Sequence, residues 1–183
     1  MAKHGLIADA AYWRDLDKSA STLQDREPEA LTRFIARSVE IKAAVVMEDE
    51  REGGRRAVLN AGHTVAHAVE HASGFAVPHG DAVAMGLVAE AKLAESIGVA
   101  VPGLAAEITA GLRRLSLPTR LSLDLDANQL LEAMRLDKKR ADSELRFALP
   151  HDIGVMAREA ERWTIAVGDS SAIVHALRSA GAT

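Results

Sequence analysis

A mainly α-helical fold is what this sequence predicts, and three features carry the prediction. Apolar side chains recur at the 3.6-residue period in several segments. Gly and Pro residues punctuate those segments where helices must start or stop. Apolar residues make up 48% of the chain but aromatics only 3%, so helices must pack largely through Ala, Val and Leu with close backbone approach. At 183 residues the chain can bury a real core, and residues 1–183 are read as one domain.

The opening helix is expected near Ile7 to Leu16. Ser19 to Glu27 is polar, and Pro28 suits the first turn of a long helix running to about Arg51. Its apolar positions are Leu31, Phe34, Ile41 and Val45, with Ile35, Val39 and Val46 beside them. Gly53-Gly54 breaks that helix, and a second should occupy Arg55 to Ser73 before Gly74 stops it. Pro78 opens a third, which runs to Ser96 and is closed by Gly98. Residues 82 to 89 are apolar or Gly on every side, the pattern of a central, fully buried helix. Further helices are predicted around Leu104 to Leu115, Ala127 to Leu136 and Ala172 to Ala180, with Pro102 and Pro118 as punctuation. Alternation in Glu144 to Leu149 and β-formers in Arg162 to Val167 predict a small β element near residues 144–167.

Composition excludes several functions. The 26 acidic and 22 basic residues leave a net charge of -4 with no basic block, so nucleic acid is not an expected partner. There is no cysteine, which removes thiolate catalysis and leaves His, Asp or Glu to hold any metal. Met1 to Trp13 has no long apolar run, and Ala82 to Ala89 is far shorter than a bilayer span; the expectation is a soluble, cytoplasmic protein without membrane contact.

The chemistry concentrates on the second helix. Arg56, Asn60, His63 and His67 are spaced 4, 3 and 4 apart, which on one helix makes a narrow stripe. A solvent-facing stripe is usually Lys and Glu, whereas Arg, Asn and two His bordered by Leu59 and Ala66 suit the wall of a polar cavity. Taken singly, each His is ordinarily an exposed or hydrogen-bonded residue. His79 at the mouth of the buried helix, after Pro78 and before Gly80-Asp81, changes the balance, because that position would let its imidazole and free backbone N–H groups face the same cavity. Two imidazoles and a carboxylate make a catalytic Zn²⁺ site, and His63, His67, His71 and His79 all offer imidazoles. Spacing does not choose among them, although a simple helical hairpin would bring His79 nearer His67 or His71 than His63. The His-Thr-Val-Ala-His run lacks the Glu of a metalloprotease helix, since that position is Thr64. Lys42 falls on the Ile35, Val39, Val46 row, as a snorkelling stem or a buried anion-binding group. Asp137-Lys138-Lys139 reads by itself as a solvated charge cluster. No Gly-x-Gly-x-x-Gly follows a strand and no βαβ alternation appears, so these residues predict no dinucleotide-binding fold of their own.

The string Lys42…Val45-Val46…Asp49-Glu50-Arg51-Glu52…Gly54…Arg56…Leu59-Asn60-Ala61-Gly62-His63-Thr64…His67-Ala68…Glu70, followed by His79-Gly80-Asp81, resembles the 3-dehydroquinate synthase family. The likeness extends upstream to Lys3-His4-Gly5-Leu6-Ile7 and downstream to Asp137-Lys138-Lys139, Arg146-Phe147-Ala148-Leu149 and Ile153-Gly154. It implies the multihelical C-terminal domain of such an enzyme, whose partner is its own N-terminal NAD-binding domain and whose full-length form is a homodimer. A divalent metal, Zn²⁺ or Co²⁺, lies between the two domains, and NAD⁺ is bound mainly by the other one. The resemblance assigns His63 and His79 to the metal. It gives His67, Lys3 and Asn60 catalytic roles, and Lys42, Glu52, Arg56 and one of Lys138 and Lys139 to the sugar-phosphate substrate. The family's third ligand is a glutamate three residues before the lysine matching Lys3, a position just ahead of Met1. Ala66 stands where the family usually has Gly, and Asp81 where it has Glu.

The implied reaction converts 3-deoxy-D-arabino-heptulosonate 7-phosphate to 3-dehydroquinate in the shikimate route to aromatic amino acids. Oxidation, phosphate elimination, reduction and an aldol closure follow one another, and these 183 residues alone are expected to be inactive. Competing readings are a sister cyclase of the 2-deoxy-scyllo-inosose or epi-valiolone synthase type, a metal-dependent polyol dehydrogenase, and a helical module without catalysis. The Asn-Ala-Gly-His-Thr…His core and Arg56 argue against a simple dehydrogenase, which has no carboxylate or phosphate to hold.

Overall fold

The computed structural model describes residues 1–51, 54–122, 124–138 and 144–183, with 137 and 138 described by their backbone alone. Nine α-helices and one 3₁₀ segment are found among these residues, with four short strands. The mainly helical expectation is met.

The chain opens with two helices, α1 (Ala2–Ala8) and α2 (Ala10–Lys18), where one was expected near Ile7 to Leu16. Asp9 makes the break: its carboxylate accepts from Tyr12 N at 2.9 Å, capping α2, and pairs with Arg37 at 2.7 Å. After α3 (Ala20–Gln24), Pro28 begins the long helix α4 (Pro28–Glu48), which stops three residues before the expected Arg51. Its buried face is Phe34, Ser38, Ile41 and Val45, and of these Phe34 and Ile41 pack with Tyr12 and Leu16 of α2. Ile35 and Val39 are exposed, as is Met47 at 78%. The row that carries Lys42 is therefore an outer face, and Lys42 is itself exposed.

The expected continuous helix Arg55 to Ser73 is in fact two pieces. A 3₁₀ segment, Arg55–Asn60, ends at Ala61-Gly62, and α5 (His63–Ala72) starts afresh. Gly62 has φ of +79°, and a Cβ there would lie 2.9 Å from Val83 O. The neighbour that forces this turn is α6 (His79–Ser96), whose Gly86 approaches so closely that a Cβ would fall 2.1 Å from Gly62 O. Helix α6 is the predicted centre of the fold. Every residue from Ala82 to Ala91 is buried, and α5, α7 (Leu104–Arg114) and α9 (Ser170–Ser179) pack around it. Helix α8 (Ala127–Lys138) lies against α5 and α9.

The small β element is present as β1 (Leu145–Phe147) paired antiparallel with β4 (Ile165–Val167), Arg146 opposite Ala166. A second pair, β2 (Pro150–Asp152) with β3 (Val155–Met156), was not expected from the sequence. Gly154 at its turn donates to Leu6 O at 2.7 Å, tying the hairpin to α1. Among the described residues no helix is long and apolar enough to cross a membrane.

Candidate active site

The Ala61-Gly62 turn is held by a carboxylate inside the core. Glu90 on α6 is 1% exposed and accepts from Gly62 N at 2.7 Å and Val65 N at 3.4 Å. Those N–H groups belong to the first turn of α5, where backbone donors have no helical partner and negative charge is favoured. One turn of α6 thus supplies both the close approach at Gly86 and the acceptor at Glu90. Together they fix where α5 begins, and so where His63 stands.

The imidazoles of His63 and His79 meet, with ring centroids 5.3 Å apart, while His63 and His67 are 5.7 Å apart. The hairpin expectation that His79 would sit nearer His67 or His71 than His63 is not supported. The chain from Ser73 to Pro78 instead returns α6 across α5 so that His79 faces the start of that helix. His71 turns to Phe75, at 6.4 Å. His63 Nδ1 is 3.0 Å from Ala61 O and His79 Nδ1 is 3.0 Å from Glu70 Oε1. A carbonyl and a carboxylate only accept, so Nδ1 is the donor in each ring, and in a neutral ring Nε2 then keeps its lone pair. Burial, followed by the nearby Lys3 charge, holds the His63 pKa below its ordinary value and so favours the neutral, ligating form.

Lys3 on α1 donates from Nζ to Leu59 O at 2.6 Å, and its charge acts on His63. Burial first, then the charge of Lys42, brings its pKa down to about 8, with Glu90 opposing. Lys3 and Lys42 are therefore electrostatic neighbours, and the Lys3 charge also reaches His63. Beside them a cavity of about 780 Å³ opens between α5 and the α8–β1 side, with Asn60, His63, Thr64, His67 and Glu70 on one wall and Met134, Arg146, Ala148 and Thr164 on the other.

The four-residue stripe does not exist as one helix face, because the helix breaks at Gly62. Asn60, His63 and His67 nevertheless line the same cavity. Arg56 is not among the cavity's lining residues; its backbone N donates to Asp49 Oδ2 at 3.0 Å and its guanidinium to Glu50 O at 3.1 Å. Glu52 and Lys139 lie outside the described residues, as does the side chain of Lys138. Glu70 and Glu90 were given no role from sequence. Their signals were there: Glu70 follows His63 by seven residues on one helix face, and Glu90 is a lone charge in an otherwise apolar stretch.

As a test of metal binding, the neighbouring His63 and His79 rings, each with Nδ1 engaged, have the donor chemistry for two imidazole ligands of Zn²⁺ or Co²⁺. No group of three or more metal-ligating side chains occurs among the described residues.

Two solved structures share this architecture. The 2-epi-5-epi-valiolone synthase from Streptomyces hygroscopicus subsp. jinggangensis, with NAD⁺ and Zn²⁺ bound, has a TM-score of 0.79 at 24% identity, over 97% of this chain and 48% of that one. A 2-deoxy-scyllo-inosose synthase complexed with carbaglucose-6-phosphate, NAD⁺ and Co²⁺ has a TM-score of 0.70 at 22% identity, over 84% and 42%. At these identities the likeness shows the fold alone.

Sequence goes further: the family model for the 3-dehydroquinate synthase C-terminal domain matches residues 1–140, and the chain belongs to that family. Curated 3-dehydroquinate synthases from a Nostoc species and from Rhodopirellula baltica are 41% and 43% identical over 157 residues each. The chain spans about 43% of the first relative's length and 42% of the second's.

Proposed function

We propose that this chain is the metal- and substrate-binding half of an enzyme that converts 3-deoxy-D-arabino-heptulosonate 7-phosphate to 3-dehydroquinate and phosphate. The observation that carries the reading is the neighbouring His63 and His79 pair, each with Nδ1 tethered, and the Lys3 charge close to His63. Identity near 40% to 3-dehydroquinate synthases, against 22–24% to the other cyclases, supports this substrate over theirs.

His63 and His79 hold the divalent metal, and a family glutamate ahead of Lys3 completes the set. When bound, the metal supplies Lewis acidity toward a ring hydroxyl and NAD⁺ the reversible oxidation of that carbon. Lys3 and Lys42 place positive charge where a carboxylate must be held, and Arg56 with one of Lys138 and Lys139 supplies more charge for a dianionic phosphate. Asn60 donates to a substrate hydroxyl. His67, one turn beyond His63, contacts the phosphate or relays a proton to it. The departing phosphate serves as base for its own elimination, so these residues need only to orient and neutralise. The partners in this reading are the enzyme's own NAD-binding domain and, in the full-length protein, a second subunit.

Turnover by the full-length gene product of heptulosonate 7-phosphate, sedoheptulose 7-phosphate and glucose 6-phosphate tests the proposal. Only the first should yield a carbocycle; preference for either of the others would make the protein a sister cyclase.

A further inference from the structure

Glu70 has no part in the mechanism above, yet its side chain is only 15% exposed and its carboxylate reaches 3.0 Å from His79 Nδ1. The two histidines are tethered differently. His63 donates to a neutral backbone carbonyl, Ala61 O at 3.0 Å, fixed by the turn itself, whereas His79 stands on the first residue of α6 with a side chain 58% exposed. Nothing in the backbone fixes the latter ring; Glu70, on the facing helix α5, does.

We infer that Glu70 is a positioning residue for the metal, acting through His79. A carboxylate acceptor keeps the proton on Nδ1, aims Nε2 toward His63, and makes the imidazole a stronger donor. It also places a negative charge one ring away from the cation, in a group where no third ligating side chain joins the two imidazoles among the described residues. The inference rests on the proposed metal role of His63 and His79, and it concerns a residue to which neither the cavity wall nor the family reading gave a function.

Two readouts test it, neither needing turnover. In long-range ¹H–¹⁵N spectra of the metal-free chain at alkaline pH, His79 should be the Nδ1–H tautomer. In Glu70→Ala it should shift toward Nε2–H, the form an untethered histidine prefers, while His63 stays unchanged. In titrations with Co²⁺ alone, followed by visible absorption, Glu70→Ala should weaken binding by roughly tenfold or more, and Glu70→Gln, which keeps an acceptor but no charge, by less. An unchanged His79 tautomer, or an affinity within about twofold of the parent in Glu70→Ala, overturns the inference. Loss in Glu70→Ala as complete as in His79→Ala also overturns it, by making Glu70 a direct ligand. Co²⁺ binding that is indifferent to His79→Ala is a separate result: it removes the metal reading itself and this inference with it.

Discussion

His63 and His67 stand one turn apart on α5 and both face the cavity, but only His63 faces His79 across a 5.3 Å ring separation. His63→Ala is therefore expected to lower Zn²⁺ affinity by roughly tenfold or more, and His67→Ala to leave it within about twofold. Isothermal titration of both variants, with circular dichroism to establish folding, checks this; equal losses would mean the ligands are misassigned. Lys3 gives a second test at this scale. Its ammonium is partly buried beside the Lys42 charge, so the folded chain releases that proton at about pH 8 while the unfolded chain holds it to about 10.5. Below pH 8 the cost of the buried charge is present in full. Between the two values the unfolded state carries more protons, so this group's contribution to stability improves as pH rises through the window. Lysine ¹³Cε resonances should show Lys3 titrating near pH 8, and Lys42→Ala should move that midpoint upward, because Lys42 is one of the charges that lowers it.

At the scale of elements, the crossing of α6 over the start of α5 decides where the site is. A Cβ on Gly86 would lie 2.1 Å from Gly62 O, and this overlap involves backbone that no rotamer change can relieve. Gly86→Ala should cost about 1–3 kcal/mol or more by overpacking and weaken metal binding with it, since α5 must shift. Gly80→Ala is the matched control: its Cβ would meet nothing within 4 Å, so helix propensity alone should hold or raise the melting temperature. Thermal melts of the two variants should therefore diverge in sign. The same crossing explains what the sequence concealed. Helix α6 was legible because apolar residues surround it on every side, and β1 with β4 because their β-formers bracket the loop between them. The break at Gly62 was not legible, because only contact with Gly86 and Glu90, more than twenty residues away, forces it. Asn60, His63 and His67 were grouped correctly on a premise, the single helix, that does not hold; the turn still directs all three to one cavity. The pairing of His63 with His79 came from family resemblance, since the Ser73 to Pro78 return has no periodic signal to read. Ile35 and Val39 looked like core by period, but only tertiary packing chooses which side of α4 is covered.

For the whole molecule, folding and catalysis should separate. One buried cluster joins α1, α5 to α9 and the strands, and a second joins α2 to α4 through Tyr12, whose hydroxyl donates to Phe34 O at 2.6 Å. No buried side-chain polar atom lacks a partner among the described residues. These 183 residues should thus give a helical circular dichroism spectrum and a cooperative melt by themselves. Catalysis makes another demand. The proposed reaction takes a hydride from a ring carbon and returns it, which requires a nicotinamide held against that carbon, and the described residues contain no βαβ unit to hold one. The strands form two separate antiparallel pairs, and the proposed metal ligands among the described residues are two imidazoles. Rigorously purified chain supplied with NAD⁺, Zn²⁺ and heptulosonate 7-phosphate should therefore show a cooperative melt but release no phosphate above background. Adding a separately expressed NAD-binding half that carries the family glutamate should restore release, and His79→Ala should abolish the restored activity. Phosphate release by the chain alone would mean that these residues bind the nicotinamide in a way their fold does not suggest.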